Sequence, residues 1–261
     1  MTKQAIPRRN FLTKTFLLSA PGFLDAKTSV ALGQPSAAPA SGRKLRVVCV
    51  GAHPDDPESG CAGTLSRYAA DGHSITIVYL TRGERGIRDT PAEAAAKIRT
   101  KEAEQACNII GATPVFFGQV DAATELTPKA LEAMKTLFVE QKPDVLFAHW
   151  PIDTHMDHQV ASLLAIRAWM GMPPQAELYF FEVDTGSQSE GFLPNTYVDV
   201  SQVLEKKKTA LFAHASQDAK SIWANHHEII AKWRGREAGV QMAEAFVRLD
   251  RARAAGRLPG L

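Results

Sequence analysis

Two apolar runs in this chain each break off into a cluster of histidines and aspartates. Leu45–Val50 (Leu-Arg-Val-Val-Cys-Val) is rich in β-branched residues and stops at a glycine, the pattern of a buried strand. It leads straight into Gly51-Ala-His53-Pro-Asp55-Asp56-Pro-Glu58. Asp144–His149 (Asp-Val-Leu-Phe-Ala-His) is a second such run and leads into Trp150-Pro-Ile-Asp153-Thr-His155-Met-Asp157-His158. Open α/β sheets hold their sites outside the carboxyl ends of strands. Two strands that both deliver imidazoles and carboxylates there call for a fold that brings the two ends together.

The residue types point to a metal. His53 and Asp56 are three apart and can grip one cation where the turn folds back, which leaves Asp55 pointing elsewhere, free to act as a base. Pro54 and Pro57 fix φ on either side. His155 and His158 stand i, i+3 and share one face of a helix. Thr154 is placed to cap that helix, with Asp157 completing a loose capping box. Two strand ends of this kind suit a catalytic site with three protein ligands and one position for water. A structural zinc site uses several cysteines, and Cys49, Cys61 and Cys107 are scattered with no Cys-x-x-Cys spacing; they read as small core residues.

Between and after the motifs the chain alternates. Strands are expected at Ser74–Leu80, Val115–Phe117 and Leu178–Val183, and helices at Glu58–Asp71, Pro91–Ile110, Pro128–Gln141, Gln159–Met170 and Val203–Ala213. This order predicts a single-domain α/β fold, Rossmann-like, with a three-layer α/β/α arrangement about a mostly parallel sheet. No Gly-x-Gly-x-x-Gly of a dinucleotide site is present. The loop Thr81–Gly86 brings Glu84 and Arg85 to the same rim as His53, where they are expected to contact substrate, and Trp150 is the aromatic expected in the pocket. Asp184–Asn195, rich in Gly and Ser, reads as a mobile loop able to close over substrate. Arg99 and Glu102 read as a solvated helix-face pair, and His226-His227 as surface histidines.

The first 42 residues stand apart. Pro7-Arg-Arg-Asn-Phe-Leu-Thr-Lys14 followed by a weakly apolar run has the form of a twin-arginine export signal, and 34–42 reads as linker, so the domain is expected over 43–261. The leader predicts a periplasmic protein that uses the twin-arginine machinery and has no permanent membrane span. It carries five of the 30 Lys/Arg and one of the 28 Asp/Glu, so the formal charge of +2 becomes −2 without it. The basicity belongs to the leader and implies no nucleic-acid partner.

Taken together, Ala-His-Pro-Asp-Asp-Pro-Glu and His-Met-Asp-His resemble the PIG-L/LmbE-type family of zinc-dependent de-N-acetylases, from about Lys44 to Phe246. Thr81-Arg-Gly-Glu-Arg-Gly86, Arg99-Thr-Lys-Glu102 and the segment from Lys208 to Ser216-Gln217, with His214 as a structural or rim residue, are similar too. The resemblance implies metal ligands at His53, Asp56 and His158, and a general base at Asp55. It also implies a substrate-polarising, protonated His155 with Asp157 orienting its ring. The activity implied is removal of acetate from an N-acetylated, N-acetylglucosamine-type sugar conjugate by one Zn2+ per chain. Iron, cobalt or nickel also suit two imidazoles and a carboxylate. A metallophosphoesterase is a rival, although it needs more bridging carboxylates for a second metal. A non-catalytic sugar- or metal-binding protein of the envelope is the other, and the spare base Asp55 speaks against it. The acceptor sugar and the oligomeric state are not specified by these motifs.

Overall fold

The apolar runs become strands because both their faces are covered. Val47, Val48, Cys49 and Val50 are all at most 1% exposed, which is why the sequence shows an unbroken apolar run where a half-buried strand would alternate. The computed structural model describes residues 42–172 and 176–249; the export-signal and linker reading of 1–41 lies outside them. Five parallel strands form the centre: β1 (Arg46–Gly51), β2 (Ser74–Tyr79), β3 (Thr113–Phe116), β4 (Val145–His149) and β5 (Glu177–Phe181). The helices between them are α1 (Asp56–Ala70), α2 (Ala92–Ile110), α3 (Pro128–Gln141) and α4 (Met156–Met170).

Alternate residues of each strand serve opposite layers. Val48, Val50, Val78, Leu80, Leu146 and Ala148 pack with α3 and α4. Val47, Cys49, Ile75, Ile77, Tyr79 and Phe147 pack with α1, α2 and α5 (Leu204–Phe212). The result is a single α/β domain with helices on both sides of the sheet. The three cysteines are buried and free. No helix among the described residues is long and apolar enough to cross a membrane.

The sheet has seven strands in the order β3-β2-β1-β4-β5-β7-β6. β7 (Ala243–Leu249) runs antiparallel to both β5 and β6 (Thr196–Asp199). This antiparallel edge and the helices α6 (Ala219–Ile222) and α7 (Glu228–Ala238) are absent from the expectation above. Strand order reverses between β1 and β4, which pair in register from Val47–Val145 to Val50–Ala148. Their carboxyl ends therefore lie side by side at the switch point, where a crevice opens in sheets of this kind.

A buried ion pair ties the edge to the centre. Glu244 on β7 accepts the α1 backbone N–H groups of Gly63 at 2.8 Å and Thr64 at 2.7 Å. Lys207 on α5 donates at 2.6 Å both to Glu244 and to the Ser59 carbonyl. This pins α1, whose amino end carries the first motif.

Candidate active site

The first motif is a forced turn from β1 into α1. A Cβ at Gly51 would sit 2.6 Å from the Pro57 ring, so only glycine lets the proline close the turn. Asp55 caps α1 with φ 112°, a backbone region side-chain residues rarely adopt. Its carboxylate meets Arg99 Nη2 at 3.2 Å, whereas the neighbouring Asp56 is the first helical residue and buried.

Asp56 meets His53 and His158 at the crevice floor. Asp56 Oδ2 lies 3.2 Å from His53 Nδ1, and Oδ1 lies 3.4 Å from His158 Nε2. Metal–ligand bonds of ~2.0–2.2 Å in a tetrahedron give ligand–ligand edges of about 3.4 Å, so this donor set fits one transition-metal ion. The outer nitrogens fit as well. His53 Nε2 is 3.1 Å from Asp157 and 3.3 Å from Asp121, and His158 Nδ1 is 3.1 Å from Asp153. Backing of each ligating imidazole by a carboxylate is the usual arrangement around bound metals. A second, overlapping donor group is formed by His53, His155 and Asp157.

The charges follow from this packing. Burial works against the ionised form of Asp56, but His158 and His149 outweigh it and hold the carboxyl well below its usual range. His158 is opposed by burial and raised by Asp56 and Asp153 to about 9. Burial pushes the Asp55 carboxyl up, against the pull of Arg99.

On the α4 side the structure revises three expectations. The cap is His155, whose Nδ1 accepts the Asp157 N–H at 3.2 Å, and not Thr154. With Nδ1 accepting, the neutral ring carries its proton on Nε2. Burial together with the nearby His53 and His158 lowers the pKa of His155, a direction opposite to the protonated ring expected. The Asp157 carboxylate, expected on His155, binds instead to His53, the Thr124 hydroxyl at 2.6 Å and the Ala122 N–H at 2.8 Å. Asp153 and His149 are additions. Asp153 also accepts the His155 N–H at 2.8 Å. His149, at the end of β4, is 1% exposed and 3.2 Å from Asp56. Burial, reinforced by His158, keeps it neutral with a pKa of about 4. The signal for Asp153 lies in the second motif itself, which carries a second carboxylate beside Asp157.

A cavity of about 520 Å³ opens above these groups, and Asp55, His155, Arg85 and Gln217 line it. That volume is within the range of small-ligand sites. Glu84 is not on the wall: it accepts the N–H groups of Arg82 and Asp121 and joins two loops. Trp150 is not on the wall either. Its ring packs on Phe180 and Phe192, and its N–H is tied to the Glu190 carbonyl, because the loop beyond β5 folds over it. That loop, expected to be mobile, is pinned: Gln188 N–H bonds the Asp184 carbonyl at 2.7 Å, and Ser189 is buried against Val183 and Asp153. Of the two histidines expected at the surface, His226 is exposed and His227 is buried, and both line the cavity. A π-helical turn at Trp223–His227 swings two consecutive residues toward one side. His214 is fully buried 3.4 Å from Glu58.

A family model described as PIG-L, GlcNAc-PI de-N-acetylase, matches residues 48–169. The probable N-acetyl-α-D-glucosaminyl L-malate deacetylase 2 of Bacillus anthracis is 30% identical over 187 residues, 67% of this chain and 83% of that protein. The chain belongs to the PIG-L family. This PIG-L member is also 28% identical over 220 residues to the diacetylchitobiose deacetylase of Thermococcus kodakarensis, covering 77% of its own length and 82% of the relative's. Among solved structures, the 4-carboxy-2-hydroxymuconate hydratase of Pseudomonas putida KT2440 superposes with a TM-score of 0.70 at 22% identity, over 83% of this chain and all of that one. The last likeness is one of fold. The family is metal-dependent, and the His/Asp cluster of this member is able to hold an ion.

Proposed function

We propose that this chain is a zinc-dependent N-deacetylase that releases acetate from an N-acetylglucosamine-type sugar conjugate. One observation carries the reading: an open cavity ends on three metal-type donors with a fourth, separately aimed carboxylate beside them. His53, Asp56 and His158 would hold the ion, which when bound polarises an amide carbonyl and acidifies water. The residues supply the rest. Asp55 takes a proton from the water that adds to the carbonyl and returns it to the departing amine nitrogen. His155 offers its Nε2–H to the carbonyl oxygen as charge develops there. Asp157, Asp121 and Asp153 keep the two imidazoles turned. Relatives named as deacetylases of diacetylchitobiose and of an N-acetylglucosaminyl malate support an amino-sugar substrate.

The test is acetate release by zinc-loaded protein from N-acetylglucosamine, N,N′-diacetylchitobiose and N-acetylglucosaminyl malate. Hydration of 4-carboxy-2-hydroxymuconate is assayed alongside. Acetate release abolished by Asp55→Ala supports the reading, and hydration without any deacetylation overturns it.

We also propose twin-arginine export to the periplasm, on the strength of Arg8-Arg9 followed by Phe11-Leu12. Arg8→Lys/Arg9→Lys keeps the charge, so retention of that variant in the cytoplasm supports the proposal and normal export refutes it.

A further inference from the structure

Arg99 stands on α2, yet its side chain is 3% exposed and ends at the β1–α1 turn. Its Nη2 lies 3.2 Å from Asp55 Oδ2 and donates to the Pro54 carbonyl. Two glycines open its path. A Cβ built on either Gly83 or Gly86 would overlap the Arg99 guanidinium. Gly83 also needs its left-handed backbone, at φ +66°, but Gly86 does not. The three atoms nearest to a Cβ at Gly86 belong to the Arg99 side chain. Glycine at 86 therefore supplies passage and not conformation.

What lies at the end of that passage is a strained residue. A backbone such as that of Asp55 persists only where its surroundings hold it. Glu58 accepts its N–H at 3.2 Å. Arg99 grips the carbonyl just before it and the carboxylate itself.

We propose that Arg99 is a positioning residue for Asp55, and that Gly83 and Gly86 serve to admit it. The inference rests on the reading of Asp55 as the base. Arg99 acts on where the carboxylate points and not on the substrate or the metal ligands, so its loss appears in kcat. A base displaced by about an ångström lowers turnover ~10²-fold.

The experiment compares Gly86→Ala, Arg99→Ala and Asp55→Asn on N,N′-diacetylchitobiose, with metal affinity by chelator competition and the thermal midpoint measured on each. Expected are a kcat lowered about 10²-fold in Gly86→Ala and Arg99→Ala, with KM and metal affinity unchanged. Guanidinium ion, which can enter through the cavity that Arg99 lines, restores turnover to Arg99→Ala and not to Asp55→Asn. A raised KM with kcat intact would make Arg99 a substrate-binding group, and parallel loss of metal would make it a support of the ligands. Either overturns the proposal, as does folded Arg99→Ala that guanidinium fails to rescue. Should Arg99→Ala not fold, Gly86→Ala decides alone, and full kcat there overturns the inference. If Asp55→Asn is itself active, the base reading falls and takes this inference with it. If Asp55→Asn is inactive while Gly86→Ala turns over normally, only this inference falls.

Discussion

Asp55 and Asp56 are neighbours in sequence with opposed tasks, and the difference lies in one backbone angle. Replacing Asp55 with Asn keeps shape and removes the proton acceptor, so turnover should fall by roughly 10²–10⁴ while bound zinc stays. Asp56→Asn should lose the zinc itself; equal metal loss in both variants, by elemental analysis after dialysis, would sink the division of labour. Asp153 is a further test of the site. As the carboxylate behind His158, its change to Asn should weaken zinc binding by about 10–100-fold without abolishing it. At this scale the two motifs were legible because chemistry demands particular residue types at short spacing. The residues that depart from expectation, Trp150, Glu84 and His227, owe their positions to loops and to a π turn whose paths no local pattern encodes. The Asp157 carboxylate was misassigned for the same reason: its partner His53 lies 104 residues away.

The parallel half of the sheet could be read from the sequence because strands buried on both faces leave unbroken apolar runs. The antiparallel edge could not. β6 is four residues long, and β7 (Ala-Glu-Ala-Phe-Val-Arg-Leu) carries Glu244, whose burial makes sense only once Lys207 and the α1 backbone are beside it. Gly63 is where that edge touches α1: a Cβ there would sit 2.6 Å from Val200 Cγ1 and 3.0 Å from Glu244 Oε1. Gly63→Ala gains ~1 kcal/mol of helix propensity but loses ~1–3 to overpacking, for a net destabilisation of up to about 2 kcal/mol. The measurement is a urea midpoint that drops at unchanged slope; an unchanged or higher midpoint would mean the contact yields freely.

For the whole molecule, acid is the vulnerable direction. His227 is held neutral in the fold, first by burial and then by Lys207, with a pKa of about 3. Its ordinary value is 6.5, so the unfolded chain binds the proton first. Its contribution to stability is complete above pH 6.5 and is lost as pH falls toward 3, on the order of 2–3 kcal/mol at pH 4.5. His227→Gln should narrow the gap between urea stabilities measured at pH 7 and pH 4.5, and an identical gap would exclude the residue as a cause. Removing the bound metal ion should leave the far-ultraviolet circular dichroism of the sheet intact while lowering Tm. At an ion concentration 100 times Kd the linkage is about 2.7 kcal/mol, or roughly 5–10 °C for a chain of this size. The pairing of β1 with β4 carries one more consequence, for the protein as it is being made. A nascent chain that has emerged only through the first motif holds two of the three donors, His53 and Asp56. The third donor, His158, comes into reach only after β4 and the start of α4 have left the ribosome and docked, so stoichiometric metal marks chains made at least through the second motif whose central pairing has formed.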